Sequence, residues 1–224
     1  MFRLNHDGEV ARLTLDRPEA RNAIPAAGWG ELERLIATVE GRLLVVSGAG
    51  GAFCAGADLG DLPDLRRAEM RAALDALRDL AMPTVARIDG ACFGAGVALA
   101  LACDLRVAGP DARFAITPAK IGVSYPQEDV HRLVALVGPG QAARLLFTAE
   151  SIDGAEAIRI GLAELASLDE AAILANDRAS LAELKSAVAL AAQGVRSDPE
   201  QDRRFDALIA GDALARRLEA LRRK

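Results

Sequence analysis

A chain of 224 residues with 51% hydrophobic side chains can bury one large core, so one main domain with a small appendage is expected rather than two full domains. A net charge of −5 leaves no dominant basic face, which argues against nucleic-acid binding as the main role. No stretch reaches the roughly 18–20 consecutive apolar residues of a membrane span, and MFRLNHDGEV lacks the apolar core of a signal peptide, so a cytoplasmic protein is expected.

EVARLTLD at 9–16 alternates apolar and polar residues and reads as a strand. AAGWGELERLIATVE at 26–40 then places Trp29, Leu32, Leu35, Ile36 and Val39 on one helical face. RLLVVSG at 42–48 is a short apolar run closed by glycine, a second strand. The helical pattern returns at 67–82 with Met70, Leu74, Leu77 and Leu80, and Pro83 ends it. PTVARIDG at 83–90 is a third strand. GAGVALALACDLRVAG at 94–109 divides into a buried helix to about Ala102 and a strand from about Asp104. From residue 140 onward Ala, Leu, Arg and Glu recur at helical spacing, and 203–224 is an amphipathic helical tail interrupted at Gly211. AQGVRSDPEQD at 192–202 is polar enough for a mobile connection. Strands alternating with helices imply a layered α/β core.

Cys54, Cys92 and Cys103 have no CxxC spacing and read as free thiols, and His6 and His131 are too few and too separated to suggest a metal site, so none is expected. The chemistry is sought instead in two glycine clusters. GAFCAGADLGD at 51–61 follows the strand at 42–47, and DGACFGAG at 89–96 follows another strand and opens the buried helix. Ligands in open α/β folds sit at the carboxyl ends of strands. Two loops of small residues can bring backbone N–H groups to one ligand oxygen, with a helix dipole behind them, and such a pair is an oxyanion hole. Either cluster alone is better explained by tight turns and close helix–strand packing, because no phosphate-binding glycine fingerprint is present.

In order and spacing, LTLDRPEARNAI, FCAGADL, GACFGAGVALALACDLRVAGPDARFAITPAKIG and GPGQAARLLFTAESIDGAEAIRIGLAE together resemble the enoyl-CoA hydratase/isomerase, or crotonase, family over about residues 8–165. The resemblance implies an α/β fold, a spiral of repeated ββα units over 1–165 with a helical trimerisation region over 166–224. It implies an acyl-CoA thioester ligand, coenzyme A entering as part of the substrate with no separate cofactor, and a homotrimer or dimer of trimers; charge and the lack of a long apolar run leave neither nucleic acid nor membrane as an expected partner. By the same resemblance the backbone amides of Ala57 and Ala95 hold the thioester carbonyl. Arg17 or Arg21 meets a phosphate, Ala55 holds the adenine through its backbone, and Leu59 and Leu62 flank the acyl passage. Asp58, in the same loop, reads better as ordering that loop or capping the next helix than as a base. Cys54, among apolar neighbours, reads as an inert thiol.

The sequence departs from this family at the two glutamates that a hydratase uses. Gapless alignment puts Ala98 at the first and Pro118 at the second, and neither side chain transfers a proton. VSYPQEDVHRL offers replacements in Tyr125, Glu128, Asp129 and His131. Glu128 is the first choice for the acid and Asp129 the second, against the alternative that both only compensate a helix dipole. Isomerase- or lyase-type enolate chemistry is therefore favoured. The alternatives are a malonyl-type decarboxylase, a thioester hydrolase, or a non-catalytic acyl-CoA-binding protein.

Overall fold

The computed structural model describes residues 1–223, and of Leu221 the backbone only. The chain opens with an antiparallel pair, β1 (Phe2–Asp7) and β2 (Val10–Leu15), turned at Gly8 with φ 60°. Helix α1 (Gly28–Ile36) leads to β3 (Leu43–Gly48), α2 (Arg67–Arg78), β4 (Thr84–Ile88) and β5 (Ala91–Phe93). Then come α3 (Ala95–Leu101), β6 (Leu105–Ala108), β7 (Arg113–Ala115), α4 (Gln127–Thr148), β8 (Ser151–Asp153) and α5 (Gly154–Arg159). One sheet has the order β1-β2-β3-β4-β6 and the other β5-β7-β8.

The parallel pairings show how the chain advances. β3, β4 and β6 pair parallel in the first sheet, and after each of the last two strands the chain passes to the second sheet, where β5 and β7 pair parallel. One turn earlier Cys54, downstream of β3, makes an isolated parallel bridge with Cys92 of β5. Each turn thus adds one position to both sheets, which is the step of a ββα spiral.

Packing follows the periodicity. Trp29, Leu32 and Ile36 of α1 and Met70, Leu74 and Leu77 of α2 are buried, and α3 is covered on all sides from Gly96 to Leu101. Complete burial of one such large side chain stabilises by about 1.5–3 kcal/mol. The expected helix over 26–40 is shorter, because the chain turns at Ala37–Val39, and Leu35 and Val39 are only half-buried. The sequence reading missed β1, an edge strand with little burial, and β5, β7 and β8, whose three residues are too few to display a period.

Two compact units are present: Met1–Leu80 with Thr84–Leu168, and Ala81–Pro83 with the chain from Asp169 onward. In the first, buried Arg106 donates to the carbonyls of Leu162 and Cys103 and pairs with Glu164. The second unit is helical, with α6 (Glu170–Leu174), α7 (Arg178–Ala192), α8 (Pro199–Ala210) and α9 (Asp212–Arg222). Asp169, Asp177 and Asp198 cap three of these helices through their side chains. The tail breaks at Gly211, as its sequence suggests, whereas 192–202 already contains the start of α8. Of the tail's apolar residues Leu208 is half-buried, Ile209, Leu214 and Leu218 are exposed, and the Leu221 side chain lies outside the described residues.

Candidate active site

The loop at 52–58 is fastened along both edges. On one side Cys54 N donates to Ala91 O and Phe93 N to Cys54 O, each at 2.8 Å; on the other, Ile24 N donates to Gly56 O and Asp58 N to Ile24 O, again at 2.8 Å. The Ala55 amide is taken by Arg21 O at 2.9 Å. The Ala57 amide has no protein acceptor among the described residues, and neither has that of Ala95, the first residue of α3. The Cys54–Cys92 bridge explains why these two amides belong together. Ala57 lies three residues beyond Cys54 and Ala95 three beyond Cys92, so they hold equivalent positions in successive turns of the spiral.

Glycine is required where the turns touch. A Cβ on Gly96 would lie 2.4 Å from Cys54 O, and one on Gly56, whose φ is +109°, would lie 2.9 Å from Phe93 O. The Cys54 thiol accepts from Gly56 N at 3.4 Å. Burial pushes its pKa up to about 12, with the Gly56 contact opposing, so it remains an inert thiol as expected.

Ala57 and Ala95 open on a cavity of about 380 Å³. Leu59, Leu62, Leu65, Met70, Ile121 and Val123 make much of its wall apolar, and Ala98 and Pro118 line it too. Ala98 and Pro118 thus face the cavity without an ionisable group. Among the described residues Asp129 is the only carboxylate in the wall. It is fully buried, and Arg71 Nη1 donates to its Oδ1 at 2.9 Å, while Oδ2 has no partner among the described residues. Burial raises the Asp129 pKa, and the hydrogen bond and charge of Arg71 oppose that rise. Asp75 holds Arg71 from the other side at 3.1 Å and also pairs with Arg78 and Arg132.

Tyr125 also lines the cavity, and its hydroxyl donates to Gly94 O at 3.0 Å. Desolvation, with Asp129 reinforcing it, holds this phenol well above its usual pKa. His131 is exposed and does not line the cavity.

Of the two candidate acids, Asp129 lines the cavity and Glu128 does not. Glu128 is 47% exposed and pairs with Arg67 at 3.2 Å. Its pKa is lowered by the backbone amide at the start of α4 and by Arg67, which is the helix-end role. A signal for Asp129 was available, because Asp129, Leu133 and Val137 are all buried at a spacing of four. Arg71 was missed, since its partner is 58 residues away.

Other sequence-derived sites are placed unevenly. Leu59, at 67% exposure, and the half-buried Leu62 stand in the cavity wall, as does Ala55. Asp58 caps the 3-10 turn Leu59–Asp64 through Gly60 N and accepts from Arg17 at 2.5 Å, which agrees with a loop-ordering role. That pair occupies Arg17, while Arg21 is exposed, and neither arginine lines the cavity. Among the described residues no group of three or more His, Cys, Asp or Glu is arranged to hold a metal, and no helix is long and apolar enough to cross a membrane.

The family model for enoyl-CoA hydratase/isomerase matches residues 5–220. The chain belongs to the enoyl-CoA hydratase/isomerase family. A probable enoyl-CoA hydratase of Mycobacterium tuberculosis is 39% identical over 185 residues, covering 78% of this chain and 74% of the relative. The structure of an enoyl-CoA hydratase/carnithine racemase from Magnetospirillum magneticum superposes with a TM-score of 0.92 at 25% identity, over 99% of this chain and 92% of that one. A Thermobifida fusca protein whose structure is in complex with acetoacetyl-CoA matches at a TM-score of 0.80 and 30% identity, over 97% of this chain and 95% of its own. The crotonase-like α/β fold expected from the sequence is thus the fold of this family member.

Proposed function

We propose that this family member processes acyl-CoA thioesters through an enolate, as an isomerase- or lyase-type enzyme. The reading rests on one observation: two unpaired amides, Ala57 and Ala95, and one buried carboxylate, Asp129, converge on a single largely apolar cavity. A thioester oxygen accepting from both amides is stabilised most when it carries negative charge, each donor contributing about 3–4 kcal/mol in comparable sites. Asp129 then takes the α-proton. The C–H bond breaks, an O–H bond forms on the carboxylate, and the electron pair passes to the thioester oxygen. Returning the proton to the same carbon gives exchange, and delivering it to another carbon gives an isomer. Burial makes Asp129 a stronger base than a solvated carboxylate, and Arg71 favours its ionised form.

Coenzyme A enters with the substrate, so no separate cofactor is required. The exposed Arg21 is available to a phosphate, whereas Arg17 would first have to leave Asp58. A homotrimer or dimer of trimers in the cytoplasm completes the proposal. Its support is the apolar surface of Phe205, Ile209, Leu214 and Leu218 left uncovered in the helical unit. Light scattering that gives a monomer at micromolar concentration would refute the assembly.

A non-catalytic acyl-CoA-binding protein is the second reading, favoured by Ala98 and Pro118 in the cavity wall. A panel of acyl-CoA thioesters incubated in deuterated water and read by mass separates the cases. Enolate chemistry predicts deuterium at the α-carbon. Binding without exchange supports the carrier, and release of carbon dioxide or free thiol supports the decarboxylase or hydrolase. A protein that binds no thioester overturns all of these readings.

A further inference from the structure

The amide of Ala95 belongs to the same peptide unit as the carbonyl of Gly94. No cis peptide bond occurs among the described residues, so this unit is trans and its C=O and N–H point in opposite directions. Whatever holds the oxygen therefore aims the N–H. Gly94 has φ 50° and ψ −115°, and a Cβ there would meet nothing closer than Thr117 Oγ1 at 3.8 Å, so side-chain packing does little to fix this peptide. Its oxygen accepts from Val97 N at 2.9 Å and Ala98 N at 3.3 Å, both in the first turn of α3, and from the Tyr125 hydroxyl at 3.0 Å. Tyr125 is the one of these three donors that lies outside the helix.

We propose that Tyr125 is a positioning residue for the oxyanion hole: its hydroxyl, bonded to Gly94 O, sets the direction and donor strength of the Ala95 amide. The inference rests on the enolate reading of the site. A hydrogen bond to the carbonyl end polarises a peptide and makes its N–H a better donor, because bonded dipoles strengthen one another in series. The donor is dependable because the desolvated phenol stays protonated across the physiological range. Tyr125 precedes α4 by two residues and Asp129 stands in that helix's first turn, so the segment that carries the acid also braces the amide.

Tyr125→Phe tests this, since it keeps the ring and removes one donor. The readout is the infrared carbonyl stretch of butanoyl-CoA labelled with carbon-13 at the thioester carbon, measured at saturating protein. Wild-type protein should lower this frequency relative to free thioester. The variant should recover part of the difference, with affinity changed less than about threefold and α-proton exchange slowed in kcat by about three- to tenfold, the effect of one neutral hydrogen bond. In ligand-free protein the Ala95 amide proton resonance should move upfield in the variant. A role in packing alone would change the thermal midpoint and leave the carbonyl frequency and the Ala95 resonance where they were, which would overturn the inference. Failure of wild-type protein to bind the thioester would overturn the enolate reading as well. An unchanged frequency in a variant that binds normally would overturn only the role of Tyr125.

Discussion

On the enolate reading, Ala95→Pro deletes one oxyanion donor without breaking a hydrogen bond of the fold, and its Cδ stands where the amide hydrogen was. Ala95 is the first residue of α3, and its N–H has no protein acceptor among the described residues, so proline there breaks no hydrogen bond of the fold. First helical positions accept proline, whereas helix interiors lose about 3 kcal/mol or more. The usual clash with the preceding residue is relieved too, because Gly94 has no Cβ and its ψ of −115° lies outside the helical region. Stability should change by less than about 1 kcal/mol, within the range of ordinary surface substitutions and modest backbone effects. Activity should fall much further. Loss of one donor of this kind costs about 3–4 kcal/mol of transition-state stabilisation, a factor of roughly 10²–10³ in kcat. The assay is α-proton exchange of a saturating acyl-CoA in deuterated water, with the thermal midpoint recorded on the same sample. A folded variant that exchanges within threefold of wild type would refute the assignment of Ala95 to the hole.

Asp129→Asn should slow exchange by about 10²–10⁴, because the amide cannot accept the proton, whereas Glu128→Gln should leave exchange unchanged and barely move the thermal midpoint, because its ion pair with Arg67 is solvent-exposed; equal losses in the two variants would contradict the cavity geometry. Gly96→Ala should destabilise by about 1–3 kcal/mol, since its Cβ would fall 2.4 Å from Cys54 O and force the two loops apart, and an unshifted urea midpoint would show that the loops are not in that contact. Acid stability should depend on Glu156, whose pKa is lowered from 4.5 to about 2 by hydrogen bonds from Arg159 and Arg144. A depressed folded pKa means that the folded state favours the carboxylate, so this contribution is complete above about pH 4.5 and is lost as the pH falls toward 2. Glu156→Gln should flatten the fall of the thermal midpoint over that window, and an unaltered acid limb would argue against the pairing.

Local chemistry in the sequence already determined the alternation of strands and helices, the buried faces of α1 and α2, the break at Gly211 and the two glycine loops, whereas Ala57 and Ala95 were singled out within those loops only by the family resemblance. Each of these depends on neighbours a few residues apart, through hydrophobic period, turn propensity and the backbone freedom of glycine. The choice between Glu128 and Asp129 lay at the edge of legibility. Adjacent helical residues point about 100° apart, so only one can share the stripe of Leu133 and Val137, and the polar start of α4 masks that phase. Tertiary structure alone decided the rest: the Cys54–Cys92 register that puts the two amides on one cavity, the Arg71–Asp129 pair, and the capture of Arg17 by Asp58. Each joins residues about 40–60 positions apart, and such pairs are set by which turn of the spiral stacks on which, an outcome of the whole core's packing that no short stretch of sequence contains.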